Sequence, residues 1–108
     1  GTEFMGQHIV MTVGAAGALN VVFKTILDPG DEVLALAPYF GEYRGYVANH
    51  QGVLVEVTPD MDTFQPDLED MERKITEKTK AVIINNPVNP TGVILRRRLP
   101  PSSRYAVP

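Results

Sequence analysis

The sequence predicts an α/β fold with the element order β-α-β-α-β-α-β, and two observations and one packing rule predict it. Short apolar runs recur at residues 9–13, 32–37, 53–57 and 81–85. Between them lie segments whose apolar residues fall at helical spacing. Apolar strands linked through helical crossovers pair in parallel and are covered on both faces.

Each element has its own signal. Ile9, Val10, Met11 and Val13 form an apolar run that stops at Gly14. From Ala15 the period changes, and Leu19, Val22, Phe23, Ile26 and Leu27 make one helical stripe, predicting a helix over 15–27. Asp28-Pro29-Gly30-Asp31 ends it as a turn. Glu32 to Ala37 reads as a second strand, closed by Pro38. Tyr43, Tyr46, Val47 and His50 predict a helix over 41–50. Val53-Leu54-Val55-Glu56-Val57 is a third strand, apolar on both faces except at Glu56.

Pro66 suits the first position of a third helix, where a missing N–H costs nothing. Asp67, Glu69 and Asp70 complement that helix's positive end, and Arg73 and Lys74 its negative end. Leu68, Met71 and Ile75 give it a narrow apolar face, with Glu69–Arg73 and Asp70–Lys74 expected as pairs on the wet side. A fourth strand follows over 81–85, then a polar, proline-rich loop from Asn85 to Gly92.

Composition narrows the function. At 108 residues, 44% hydrophobic and 21% charged, the chain is one small domain or a piece of a larger one. It has no cysteine, which excludes a disulfide framework, thiolate metal ligands and a cysteine nucleophile. Its two well-separated histidines argue against a structural zinc site. The longest apolar run, Val33 to Ala37, falls far short of the roughly 20 residues that cross a bilayer, so no membrane partner is expected.

The net charge of −3 conceals an asymmetry: residues 1–95 carry −7 and residues 96–108 carry +4. Gly1-Thr2-Glu3-Phe4 before Met5 reads as a cloning scar, residues 5–94 as the folded part, and residues 95–108 as a basic, proline-rich unstructured tail. Arg96, Arg97 and Arg98 could form a nucleic-acid patch, but no aromatic or additional basic cluster accompanies them. A solvated or vector-derived tail is the reading preferred, with no nucleic-acid partner.

In an open α/β sheet, ligands bind beyond the carboxyl ends of the strands. Three segments occupy that position. Gly14-Ala15-Ala16-Gly17 can offer backbone amides and a helix dipole to an anion, or can serve close packing alone. It is neither a dinucleotide loop, which needs G-x-G-x-x-G, nor a nucleotide P-loop, which needs Gly-Lys-Ser/Thr. Pro38-Tyr39-Phe40 offers rings for stacking on a flat heteroaromatic ligand, or one ring that closes the core. In Asn85 to Gly92, prolines restrict the asparagines, which either donate to a phenolate-type oxygen or satisfy local backbone.

Taken together, "TVGAAGALN", "LDPGDEVLALAPYFGEY" and "TKAVIINNPVNPTGV" resemble the class I/II aminotransferases, pyridoxal-phosphate enzymes of fold type I, from about Ile9 to Ile94. The resemblance implies part of the large cofactor-binding domain, a mostly parallel three-layer sandwich, from a cytoplasmic enzyme. It implies that Gly14, Ala15 and Ala16 hold the phosphate of pyridoxal 5'-phosphate through backbone amides; family members often have a hydroxyl where this chain has alanines. It further implies that Phe40 stacks on the pyridine ring and that Asn89 donates to the phenolic oxygen.

The family's Schiff-base lysine, pyridinium aspartate and carboxylate-binding arginine lie downstream of the matched stretch. No catalytic residue is therefore placed here, and an inactive fragment with no covalently bound cofactor is expected. Related carbon–sulfur lyases share the fold type. The alternative is a non-catalytic, oligomerising module that binds phosphate or the cofactor weakly.

The family's sheet also pairs the strand before the phosphate loop with one much later in the chain. Strands 32–37, 53–57 and 81–85 are then mutual neighbours, while 9–13 and the outer side of 81–85 lack partners. Self-association as a homo-oligomer or swapped dimer is the consequence expected.

Overall fold

Val33, Leu34 and Ala35 are fully buried in the middle of the sheet, and the other elements are placed around them. The computed structural model describes residues 3–96. Its elements are α1 (Gly14–Ile26), β1 (Glu32–Leu36), α2 (Glu42–Ala48), β2 (Val53–Val57), α3 (Leu68–Lys74) and β3 (Thr79–Ile83), preceded by a single 3-10 turn, Gly6–His8. The three strands form a parallel sheet in the order β2-β1-β3. Glu32 pairs with Val53 and Leu36 with Val57 on one side, while Val33 pairs with Ala81 and Ala35 with Ile83 on the other. The α/β architecture is as the sequence predicts, and the three strands share one sheet as the resemblance implies, with β1 between β2 and β3, which do not pair with each other.

A central parallel strand reads as an unbroken apolar run because both of its faces are covered. On one face Val33 meets Phe23 of α1 and Val47 of α2, with Leu19, Leu27, Tyr46, Leu54, Ala81 and Ile83 packed around them. Strand alternation sends Leu34 to the opposite face. Only part of the predicted α1 stripe is used: Phe23 is buried and Leu19 and Leu27 pack beside it, but Val22 and Ile26 are 47% and 37% exposed.

The helix boundaries are set by local chemistry. α1 stops at Ile26 because Leu27 turns to extended backbone, and Asp31 closes the turn by accepting the Asp28 amide at 2.8 Å. Gly30 sits there at φ +87°, in the left-handed region that glycine enters freely. α2 is trimmed to Glu42–Ala48, after which the chain turns through Gln51 into β2. β3 begins at Thr79, two residues before the expected strand, because the ladder with β1 already starts at Glu32–Thr79.

Three expectations are corrected. Residues 9–13 form no strand: Ile9, Val10, Met11 and Val13 are 60% to 94% exposed. An apolar run supplies a face to bury but cannot supply the partner backbone that makes it a strand. Pro66 is not the first helical residue, since it bridges Pro59 while Asp67 caps α3 by accepting the Asp70 amide at 3.0 Å. Asp70 is not on the wet side: it is 8% exposed and accepts the Thr58 amide at 2.7 Å. Its pair with Lys74 forms at 2.8 Å, and Arg73 turns to Asp70 at 3.1 Å rather than to Glu69. Of the terminal segments, residues 1, 2 and 97–108 lie outside the described residues, so most of the expected tail does too.

Asp70 thus ties α3 to the end of β2. The Lys74 ammonium and then the Thr58 amide hold its carboxyl well below the usual carboxylate range. A carboxyl lowered on folding contributes stability above its unfolded value, about pH 4, and loses that contribution as pH falls further. Asp70→Asn is expected to lower the urea midpoint at neutral pH and to reduce the drop in stability below about pH 4. Gly52 is constrained sterically instead: a Cβ there would lie 2.8 Å from both Leu27 Cδ1 and Val47 Cγ1 and 3.3 Å from the Asp31 carbonyl. With Val47 fully buried these neighbours cannot yield freely, so Gly52→Ala should cost about 1–3 kcal/mol by urea denaturation.

Candidate cofactor-binding edge

Of the three loops singled out in the sequence, two leave the same end of the sheet and the third opens α1. β1 and β3 are adjacent and parallel, so the segments leaving their carboxyl ends, carrying Phe40 and Asn89, emerge side by side. The short turn before β1 reverses the chain, so α1 runs back along that strand. Its 13 residues span about 20 Å, enough to bring Gly14 from the amino end of the sheet to the carboxyl end.

Gly14 opens α1 at φ +67°, with its amide bonded to the Thr12 carbonyl at 3.1 Å and its own carbonyl accepting the Thr12 hydroxyl at 3.0 Å. No side chain caps the helix at Val13, and Gly14, Ala15 and Ala16 are exposed. A Cβ at Gly14 would meet nothing within 4 Å. Close packing therefore does not account for these small residues. What the glycine supplies is backbone conformation, and what the alanines leave open is access to first-turn amides at a positive dipole end.

Phe40 stands outside the core cluster and is 37% exposed, so it does not close the core. Its ring meets Tyr43 edge-on, with centroids 5.8 Å apart. Tyr43 also stacks on Tyr39, at 6.2 Å and 13° between planes. The Tyr39 hydroxyl donates to Glu56 at 2.6 Å and accepts from Arg44 at 2.9 Å, and Arg44 pairs with the same carboxylate oxygen. Burial first, and then the bond to Glu56, raise the Tyr39 phenol above its ordinary value, keeping it protonated. This polar triangle was not singled out from sequence, although Glu56, the one charge in an apolar strand, was its visible trace.

The two asparagines next to proline behave differently. Asn86 satisfies local backbone, accepting the Leu95 amide at 2.9 Å. Asn89 is exposed and its amide has no hydrogen-bond partner among the described residues. Its loop is closed beneath it by Val88 N–H to the Val93 carbonyl at 2.8 Å and by Gly92 N–H to the Val88 carbonyl. Gln65 braces the outgoing chain from outside, donating to the Ile94 carbonyl at 3.1 Å and accepting the Arg96 amide at 3.0 Å. Gln65 gave no sequence signal, because its partners are backbone groups of a distant loop.

Of the four lysines, only Lys74 reaches the carboxyl end of the sheet, where its ammonium donates to the Glu56 carbonyl. Lys24 is in the last turn of α1, Lys78 and Lys80 lie at the amino end of β3, and Lys74 is engaged by Asp70. Among the described residues no group of three or more acidic or histidine side chains could hold a metal, and no helix is long and apolar enough to cross a membrane.

The end that these loops form has relatives. The sequence pattern of aminotransferase class I and II matches residues 2–98. A probable aspartate/prephenate aminotransferase of Thermus aquaticus is 47% identical over 95 residues, covering 87% of this chain and 25% of that protein. An aspartate aminotransferase of Thermotoga maritima is 44% identical over 92 residues, covering 84% and 24%. Among solved structures, an aminotransferase from Eubacterium rectale superposes with a TM-score of 0.85 at 40% identity, over 88% of this chain and 24% of that one. The Thermus thermophilus aspartate aminotransferase with maleate gives 0.76 at 46% identity, over 80% and 23%. The chain spans about a quarter of the length of the relatives it matches. On this match, and on a parallel sheet with helices between its strands, the chain belongs to the aminotransferase class I and II family, with the α/β architecture of fold type I.

Proposed function

We propose that this chain is the phosphate- and ring-binding segment of a cytoplasmic, pyridoxal-phosphate-dependent aminotransferase. In the longer protein it would serve amino-group transfer between an amino acid and a 2-oxo acid. The observation that carries this reading is the uncapped, exposed start of α1 at Gly14–Ala16, together with an exposed Phe40 ring and an unbonded Asn89 amide on the adjacent loops that leave β1 and β3. These residues fit the cofactor: amides and a helix dipole for its phosphate, an aromatic face for its ring, and a side-chain N–H for its phenolic oxygen. When bound, the cofactor supplies an electron sink for bonds at the amino acid's α-carbon. Relatives named for aspartate support a transaminase over a carbon–sulfur lyase as the parent activity.

No lysine is free at this edge, so the 108-residue chain by itself binds the cofactor without a covalent bond and does not transaminate. Titration with pyridoxal 5'-phosphate, followed by visible absorbance, should show reversible binding, and borohydride should label no single lysine stoichiometrically. Gly14→Ala, which costs about 1–2 kcal/mol in the left-handed region, and Asn89→Ala should each weaken binding about tenfold. Absence of binding, or a covalent adduct at one lysine with turnover of an amino acid, would overturn this reading.

We also infer that the isolated chain self-associates. Among the described residues one side of the β3 backbone is unpaired, Val82 and Ile84 beside it are exposed, and Ile9, Val10, Met11 and Val13 are exposed in the same chain. Two unsatisfied apolar strand elements of similar length can satisfy each other across two copies. Light scattering should report a dimer or larger species that shifts toward monomer in Met11→Lys; a monodisperse monomer of the unaltered chain would refute it.

A further inference from the structure

Glu56 is the one charge within β2, and its carboxylate reaches away from its own strand. It receives the Tyr39 hydroxyl at 2.6 Å and the Arg44 guanidinium, while Arg44 also donates to the Tyr39 oxygen at 2.9 Å. The closed triangle therefore links β2, α2 and the segment between β1 and α2. That segment is otherwise held by backbone only near its ends, through Ala37 N–H to the Val57 carbonyl at 2.9 Å and Tyr43 N–H to the Phe40 carbonyl at 3.0 Å. Tyr39 fixed at its hydroxyl presents a fixed face to Tyr43, and Tyr43 in turn provides the edge-on seat of Phe40.

We propose that Glu56, acting through Arg44 and Tyr39, is a positioning residue that sets the Phe40 ring for stacking on the pyridine ring of the cofactor. This rests on the reading of Phe40 given above. The contribution is to orientation rather than to global stability: Arg44 and Glu56 are 61% and 49% exposed, a setting in which an ion pair adds little to folding. Restricting one loop before the ligand arrives removes part of the ordering cost of binding, and it is there that the triangle acts.

The test uses the 108-residue chain with Glu56→Gln, Arg44→Gln and Tyr39→Phe, singly and as the Glu56→Gln/Tyr39→Phe double variant. Three quantities are measured: the urea midpoint, the rate of chymotrypsin cleavage after residues 39 and 40 without ligand, and the affinity for pyridoxal 5'-phosphate. Each single variant should leave the urea midpoint nearly unchanged, raise cleavage and weaken binding by about three- to tenfold, the scale of one lost hydrogen bond. The double variant should be no worse than the stronger single one, because both break the same unit. Unchanged cleavage, or faster cleavage with unchanged affinity, would overturn the positioning role. If the unaltered chain binds no pyridoxal 5'-phosphate, the functional reading fails and the positioning of a ring ligand fails with it. A cleavage change confined to the variants would then show that the triangle orders the loop for some other purpose.

Discussion

The fold depends on hydrogen bonding β1 on both edges while covering both of its faces. Val33, Leu34 and Ala35 can be fully desolvated only because β2 and β3 satisfy their backbone groups, and an unpaired amide or carbonyl at that depth would be costly. The order β2-β1-β3 follows, with the middle strand earliest in the chain and its neighbours added on either side. Each crossover then returns a helix to the sheet. The carboxyl ends of β1 and β3 become adjacent, and the loops carrying Phe40 and Asn89 inherit their positions from that adjacency.

The same arrangement leaves surplus apolar surface. The three strands and three α-helices of the described residues bury one face of α1 and leave Val21, Val22 and Ile26 in partial contact with water. The extended segment before α1 is more exposed still. These surfaces are suited to further layers of protein, in keeping with relatives about four times as long. Apolar patches of this kind mark places where a structure expects company.

Charge is used differently at the two ends of the sheet. At the amino end, Lys80 approaches Asp31 at 3.9 Å and the Thr76 hydroxyl donates to Glu32 at 2.8 Å, so ionic groups there meet short turns. At the carboxyl end the Glu56–Arg44 and Asp70–Lys74 pairs lie beside β2, while the loops leaving β1 and β3 carry an aromatic ring and a carboxamide. On the reading proposed above, the phosphate would meet the α1 amides, whose oriented dipoles favour an anion without a cationic side chain. The charges of Tyr39, Arg44 and Glu56 are turned toward one another in a closed triangle.

Local chemistry alone determined much of this protein. The apolar run of β1, the Asp28–Asp31 turn, the helical stripe of α1 and the small residues at Gly14–Ala16 each state their structure within a few residues, since propensity and periodicity act over that range. Resemblance added the expectation that Phe40 and Asn89 face a cofactor. The tertiary structure decided what depends on a partner. It decided that residues 9–13 are no strand, because a ladder needs a second backbone, and that Asp70 faces inward, because the Thr58 amide at the end of β2 needs an acceptor. It decided that Asn86 is spent on its own loop while Asn89 is left open, and that Glu56 reaches across to Tyr39 and Arg44. A sequence records which groups each residue carries; which of them meet depends on how the chain closes around β1.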